Sequence, residues 1–414
     1  MLSRFKGRDL KAIVTNFISL VVLNIVNYVF PIILIPILIT RLGLEVYGKY
    51  IFIFTILGYL NLIVQYGFNF SATSKIAKHR DNIEIISETY TSITLIRFFF
   101  SLTITLSLLL ATLFHNNGEL YLLGIGIFLG QGLIPVWLFQ GLEKMKFITL
   151  INFVIRLVAF ILIFKVVVDE HDVWLLMFIQ SLSFLLGALV SLFIVKYYLK
   201  IGFVKVKISS VKQELKEGLS LFLSTIGINL YRESNIVILG LICGYSIVAL
   251  YSPAEKLIKG LQSFSNTIVT AIYPFLSRKI SNDNTEGVAI FKKVGTFLAI
   301  FFTVIVIVMF LSAEAIINTY LGNIKPSIVI NFKILSLVIL FGGLNYFYGI
   351  VGLVNLGKGE SFNKIVWLSG IVGLLTSAIL SFYFRDMGAS IAMVIAELFL
   401  LILVYYKFKN ILNE

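Results

Sequence analysis

The chain has 414 residues, of which 59% are hydrophobic and 13% charged, with a mean hydropathy of +0.98 and a net charge of +13. A soluble globular domain is about one-quarter charged, so this composition excludes a water-soluble enzyme or binding module. The positive balance must first be placed by topology before it can be read as a surface for nucleic acid.

The apolar runs are long and continuous and do not alternate as barrel strands do, which predicts transmembrane helices. The basic start, MLSRFKGRDLK, precedes an apolar run too long for the core of a cleavable signal, so it is expected to remain as the first span. Twelve spans are expected, at about 13–39, 47–71, 90–114, 119–141, 147–168, 173–195, 217–242, 245–274, 291–311, 328–355, 364–384 and 388–407. The fold class is therefore all-α and polytopic.

Pro31 and Pro36 interrupt span one and Pro135 interrupts span four. Proline removes a backbone hydrogen bond and permits a kink, so these three are hinge candidates. Asn24 and Asn27 put a polar stripe on span one, and Gln65 and Asn69 in span two suit interhelical hydrogen bonds. Trp137, beside Gln140 at the end of span four, suits an interfacial anchor. The polar stretch Lys196–Glu217 divides a six-helix half (1–200) from a second (217–414), with a cytoplasmic linker at 201–216 whose lysines suit anionic headgroups.

A weak internal repeat supports two halves. LITRLGLEVYGKYIF near residue 45 resembles LGLICGYSIVALYSPAE near residue 246, and LFQGLEKMKFITLIN (138–152) resembles LVNLGKGESFNKIVW (353–367). Each is a helix end, a turn and a new helix.

With these spans the 34 Lys and Arg divide into 23 on the N-terminal side, five on the other side and six within spans. That asymmetry puts both termini in the cytoplasm and assigns the net charge to topology.

Tyr251–Arg278 (YSPAEKLIKGLQSFSNTIVTAIYPFLSR) is long enough to span yet carries Glu255, Lys256 and Lys259 well inside. Three such charges cost about 7–10 kcal/mol at the bilayer centre unless they are paired or wet. The preceding span holds Arg232 and Glu233. Arg232 and Lys256 lie equally far from the turn at Cys243, each about 16 Å deep. Glu255 and Lys259 are four apart on one face, with the Glu first, the favourable order. Two readings stay open, an internal salt-bridge cluster and a cationic cavity for an anionic substrate.

Elsewhere Arg97 lies about seven residues into span three and Arg156 about nine into span five, and each is placed to snorkel towards headgroups. Lys333 lies near the outer end of span ten, and Glu397 is deep in span twelve. Lys333 aside, five cations face three anions, an excess that favours phosphate, for which arginine is the fitting partner. Glu233, Glu255 and Glu397 are the candidates for carrying a coupling ion. Cys243 is the only cysteine, so no intrachain disulfide is possible. His79, His115 and His171 fall in loops without ligand spacing, so no metal is expected. No phosphate-binding Gly-Lys-Ser/Thr loop is present, so no nucleotide cofactor is expected either.

The pieces PIILIPILITRLGLEVYGKY (31–50), PVWLFQGLEKMKFI (135–148), NLYRESNIVILG (229–240) and Tyr251–Arg278 resemble the bacterial O-antigen and polysaccharide flippases. These form the Wzx group within the multidrug/oligosaccharidyl-lipid/polysaccharide (MOP) exporter superfamily. The resemblance runs over nearly the whole chain. It implies two six-helix bundles around a central cavity and a secondary transporter with no catalytic residues. It also implies an undecaprenyl-diphosphate-linked oligosaccharide, moved from the cytoplasmic to the periplasmic leaflet of the inner membrane under an ion gradient. A polysaccharide polymerase and a chain-length regulator are the partners it suggests, with membrane lipids and without nucleic acid. On that reading Arg232, Lys256 and Lys259 meet the diphosphate, with Arg97 and Arg156 as helpers.

Rival readings are a peptidoglycan lipid precursor flippase, with nearly the same chemistry, and a multidrug exporter, for which an acidic cavity is expected. A polymerase or ligase would carry a long outer loop with catalytic Arg or His, whereas the longest here is about Ser312–Ser327. A non-transporting scaffold is the remaining class.

Overall fold

The computed structural model describes residues 7–112, 118–282, 284–322 and 325–413. Arg4, Lys6 and His115 lie outside them, as do the side chains of Asn24, Arg278 and Lys279. The elements are α1 (Gly7–Gln65), α2 (Phe68–Lys78), α3 (Ile83–Thr112), α4 (Glu119–Leu123), α5 (Ile125–Leu133), α6 (Val136–Gly141) and α7 (Met145–Val166). They continue as α8 (Val173–Phe193), α9 (Ile208–Ile242), α10 (Tyr245–Asn282), α11 (Asn284–Leu321), α12 (Pro326–Tyr346) and α13 (Gly359–Asn413). No strand occurs among the described residues.

Eight helical stretches among the described residues are long and apolar enough to cross a bilayer. Two of them, within α1–α2 and α13, are 54 and 53 residues long, which is room for two passes each. The first is broken at Gly43 and again at the Tyr66–Gly67 turn before α2, and the second at Arg385. The helices α9 and α10, of 35 and 38 residues, are also long enough to span, although polar. The chain is an all-α polytopic membrane protein with the expected twelve passes.

The break in α1 does not fall at Pro31 or Pro36, which lie inside continuous helix. It falls at Gly43, whose φ of 73° and ψ of 168° are open to glycine and strained for a residue with a Cβ. Pro135 does end a helix: α5 stops at Leu133 and α6 begins at Val136. The turns of both repeat pairs use a residue at positive φ: Gly43 and Gly244 in one pair, Glu143 and Gly357 in the other.

The chain forms two compact units, Met1–Gly43 with Ile53–Ile226, and Leu44–Phe52 with Gly227–Glu414. In the first, the core gathers Phe68, Tyr90, Trp137, Phe139 and Ile148. Trp137 is only 1% exposed, so it is a core residue and no interfacial anchor. The Pro135 break turns α6 inward against α2 and puts the indole there. The connector after α8 packs on this unit: Val204 N–H donates to Thr91, Ser210 to Glu88, and Lys75 pairs with the buried Glu214 at 2.5 Å. Tyr66 and Phe222 stack at 4.6 Å.

In the second unit α12 is packed by α10, α11 and α13. Gly342 and Gly343 permit the close approach: a Cβ on Gly342 would lie 1.9 Å from Gln262 Nε2, and one on Gly343 2.5 Å from the Phe302 ring. The segment Leu44–Phe52 joins this unit through Gly48, whose Cβ would meet Tyr245 O at 1.9 Å. Beyond α12 the chain widens into a π-helical stretch, Phe347–Val354.

Candidate functional site

The charged residues of α9 and α10 come together because the connection between these helices is only Cys243–Gly244, with Gly244 at φ +88°. The antiparallel return puts residues equally far from the turn at equal depth. Lys259 is the hub. Its Nζ bonds to Glu255 Oε1 at 2.9 Å, one helical turn back, and to Glu233 Oε1 at 2.8 Å across the helix pair. It also donates to the Arg232 backbone oxygen at 2.6 Å. Both carboxylates are therefore committed to one ammonium. Glu255 is 1% exposed and lies beneath Tyr251, whose hydroxyl accepts from Asn235 Nδ2 at 3.0 Å.

Arg232 donates from Nη2 to Gln262 Oε1 at 2.9 Å. The Gln262 amide faces Glu397 on α13. Asn345 on α12 fixes Glu397 from the other side, donating to its Oε2 at 2.6 Å and to its backbone oxygen at 2.9 Å. Glu397 is 1% exposed. Four helices thus contribute to one buried polar network, where low dielectric makes each bond stronger and each unmade bond costlier.

Lys256 is the exception. It is partly exposed and makes no hydrogen bond or ion pair among the described residues, although its charge is felt at Glu233.

The first unit treats its two intramembrane arginines differently. Arg97 is 2% exposed, which rules out snorkelling. Its Nη1 donates to the carbonyls of Gly132 and Ile134 at 3.2 and 3.4 Å, and its Nη2 to Asn69 Oδ1 at 3.2 Å. Gly132 and Ile134 flank the C-terminal end of α5, where the Pro135 break leaves carbonyls without helical partners. Arg97 caps that end. Asn69 also donates to Gln65, so this amide pair is part of the cap as well as an interhelical link. Arg156 is partly buried on α7 with the Phe184 ring 5.9 Å away, and makes no hydrogen bond or ion pair among the described residues.

The expected excess of positive charge therefore divides unevenly. In the second unit Arg232, Lys256 and Lys259 are balanced by Glu233, Glu255 and Glu397. In the first, Arg97 and Arg156 meet no carboxylate among the described residues. Lys259, Glu233 and Glu255 form a salt-bridge cluster, while Lys256 and Arg156 make no ion pair among the described residues. Lys333 lies 5.4 Å from the Phe310 ring.

Sequence reasoning missed Gln262, Asn345 and Asn235, the neutral residues that tie the charges together. Helical spacing could have found Gln262, which follows Lys259 by three and Glu255 by seven on one face. It also missed Asp386, which is buried and accepts from Asn331 Nδ2 at 2.7 Å and from Ser327. Among the described residues no group of His, Cys, Asp and Glu is arranged to hold a metal.

Comparison with known proteins gives the following. Residues 13–280 match the family described as "Polysaccharide biosynthesis protein". A protein of Escherichia coli (strain K12) named "Putative O-antigen transporter" is 29% identical over 386 residues, covering 92% of this chain and 93% of that one. A Shigella dysenteriae protein of the same name is 26% identical over 403 residues, covering 94% and 98%. Among solved structures, the lipid II flippase MurJ in an inward closed conformation superposes with a TM-score of 0.73 at 14% identity, covering 96% of this chain and 87% of that one. An inward-facing multidrug resistance MATE transporter of the MOP superfamily gives 0.70 at 14% identity, covering 96% and 98%. These two likenesses concern the fold.

Proposed function

Because the chain belongs to the polysaccharide biosynthesis protein family, with the fold of the MOP superfamily, we propose that it is a flippase for a lipid-linked polysaccharide repeat unit. The substrate is an undecaprenyl-diphosphate-linked oligosaccharide, carried from the cytoplasmic to the outer leaflet of the inner membrane by alternating access. The observation that carries this reading is the pair of intramembrane cations that make no ion pair among the described residues, Arg156 and Lys256. A charge held in a span without a partner is expensive and marks a substrate path by default. A lipid diphosphate brings the compensating negative charge to that depth.

Residue roles follow from the pairings. Lys256 and Arg232 are the phosphate contacts of the C-terminal half, and Arg156 that of the N-terminal half. Lys259 serves them by holding Glu233 and Glu255, and Arg97 by holding the Pro135 break. Glu397, which makes no ion pair among the described residues, is the best-placed of the three carboxylates to carry a coupling ion. The halves are 1–200 and 217–414 with 201–216 between, and both termini are cytoplasmic. A polymerase and a chain-length regulator would act on the delivered repeat unit.

The test is complementation. The chain is expressed in a strain deleted for its own O-unit flippase, surface polysaccharide is scored, and membrane levels are checked by blot. Rescue by the wild type and loss in Lys256→Ala and Arg156→Ala at equal expression supports both the activity and the site. Rescue by all three keeps the activity and removes the site.

A further inference from the structure

The helix α10 carries three different strips along its length. Ala254, Ile258, Ser265 and Val269 share one side and are buried where α11, α12 and α13 pack. Leu257, Leu261, Phe264 and Ile268 form a second strip that is exposed or half-buried. Lys256, Ser263, Thr267 and Thr270 form a third, within about 60° of one another and about 120° from the apolar strip. They too are exposed or half-buried. We propose that this third strip is a saccharide-binding track, which seats the sugars of the repeat unit while Lys256 holds the diphosphate at one end. The inference rests on the reading of Lys256 as a diphosphate contact.

The apolar strip is what acyl chains require. The polar strip is what they exclude, because a polar group facing lipid finds no water to bond. A spanning helix with both on separate sides has lipid along one and an aqueous path along the other. The polar strip starts at a cation that makes no ion pair among the described residues. It ends at Thr270, about 21 Å further along the helix, which is room for several sugar rings. Beyond Lys256 the strip is neutral, so it suits the uncharged part of a substrate whose charge sits at Lys256.

Its groups are those that hydroxyl-rich ligands need. The Ser263 hydroxyl makes no hydrogen bond among the described residues, so it is free to donate and to accept. Thr267 and Thr270 donate to the backbone oxygens of Ser263 and Asn266 at 2.9 and 2.8 Å. That commits their hydrogens to the helix and leaves their lone pairs for donors from outside it. Thr270 also lies 3.2 Å from the Tyr346 hydroxyl, which brings a phenol from α12 to the end of the strip. Asn266, three after Ser263 and four before Thr270, borders the same face. Its side-chain oxygen is closed off from solvent and accepts no hydrogen bond among the described residues. A buried acceptor without a donor is costly, and a sugar hydroxyl supplies the donor.

The full chain in lipid nanodiscs would be titrated with two probes, farnesyl diphosphate and the same diphosphate bearing an N-acetylglucosamine disaccharide. The difference between them isolates the sugar contacts. Wild type should bind the glycosylated probe about tenfold more tightly, as one or two net hydrogen bonds imply. The combined variant Ser263→Ala, Thr267→Val and Thr270→Val should bind both probes equally, with affinity for the bare diphosphate unchanged. Lys256→Ala should weaken both probes by the same factor and keep the preference. Thr303→Val, which removes an exposed, back-bonded hydroxyl from α11, should change neither. If the combined variant fails to fold, Thr267→Val alone should narrow the preference about threefold. A wild type without preference for the sugar, or a preference that survives in the folded variants, overturns the track and leaves the diphosphate site standing. A wild type that binds neither probe removes the diphosphate site and the track with it.

Discussion

Lys259 separates the structural part of the charged cluster from the part available to substrate. Lys259→Ala would strand two carboxylates at once. Glu255 is fully buried, and its nearest remaining donor is the Tyr251 hydroxyl at 3.4 Å. Removing one partner of a buried pair costs about 3–5 kcal/mol, because the other charge is left uncompensated. Against a total stability of about 5–15 kcal/mol, that is a large fraction. Lys256 sits one turn of chain away with no ion pair, so Lys256→Ala should stay within about 0.5 kcal/mol of the wild type. The assay is thermal melting of the detergent-solubilised chain followed by size-exclusion. Lys259→Ala should melt well below the wild type and Lys256→Ala with it. Removing all three charges together, as Lys259→Met with Glu233→Gln and Glu255→Gln, should recover most of the loss. The reasoning is refuted if Lys259→Ala melts with the wild type, or if the triple variant is no better than the single one.

Gly48→Ala would drive a methyl into the Tyr245 carbonyl, and backbone cannot yield as a side-chain tip can, so a loss of about 1–3 kcal/mol is expected in the same melting assay. Cys243 lies in the α9–α10 turn, on the side opposite the termini in the proposed topology, so a membrane-impermeant maleimide should label it from outside intact spheroplasts. Burial pushes the Cys243 thiol pKa up, so labelling should be slow at neutral pH and rise as pH is raised. Burial raises the Glu214 carboxyl above its ordinary range, with Lys75 opposing. The folded state then binds the proton more tightly than the unfolded state, so Glu214 costs stability as pH rises from about 4.5 through the folded-state value. Glu214→Gln should flatten the melting temperature against pH across that window.

The twelve passes were legible because a bilayer imposes one length on every apolar run, whatever the fold above it. Breaks were legible in part: Pro135 ends α5 and Gly43 takes the turn between spans one and two, as the sequence suggested, whereas Pro31 and Pro36 forfeit backbone hydrogen bonds and yet the helix runs through them. The pairing of Glu255 with Lys259 was legible from spacing within one helix. The pairing of Glu233 with Lys259 was not, because it depends on how α9 is rotated against α10. Arg97 shows the same limit. Its place within span three was legible, but the carbonyls it caps come from Gly132 and Ile134, far along the chain, at the end that Pro135 gives α5. Trp137 followed the interfacial habit of its residue type in the sequence and went to the core because the same break folded α6 inward.

The most direct test of the flippase assignment is transport itself. The purified chain is reconstituted in liposomes carrying undecaprenyl-diphosphate-linked oligosaccharide in one leaflet, and the sugar reaching the other leaflet is followed by its access to a membrane-impermeant glycosidase. Protein-dependent movement that is lost in Lys256→Ala and quickened by an imposed pH gradient is the expected result. Sugar that stays in its leaflet with folded wild-type protein, with or without the gradient, contradicts it.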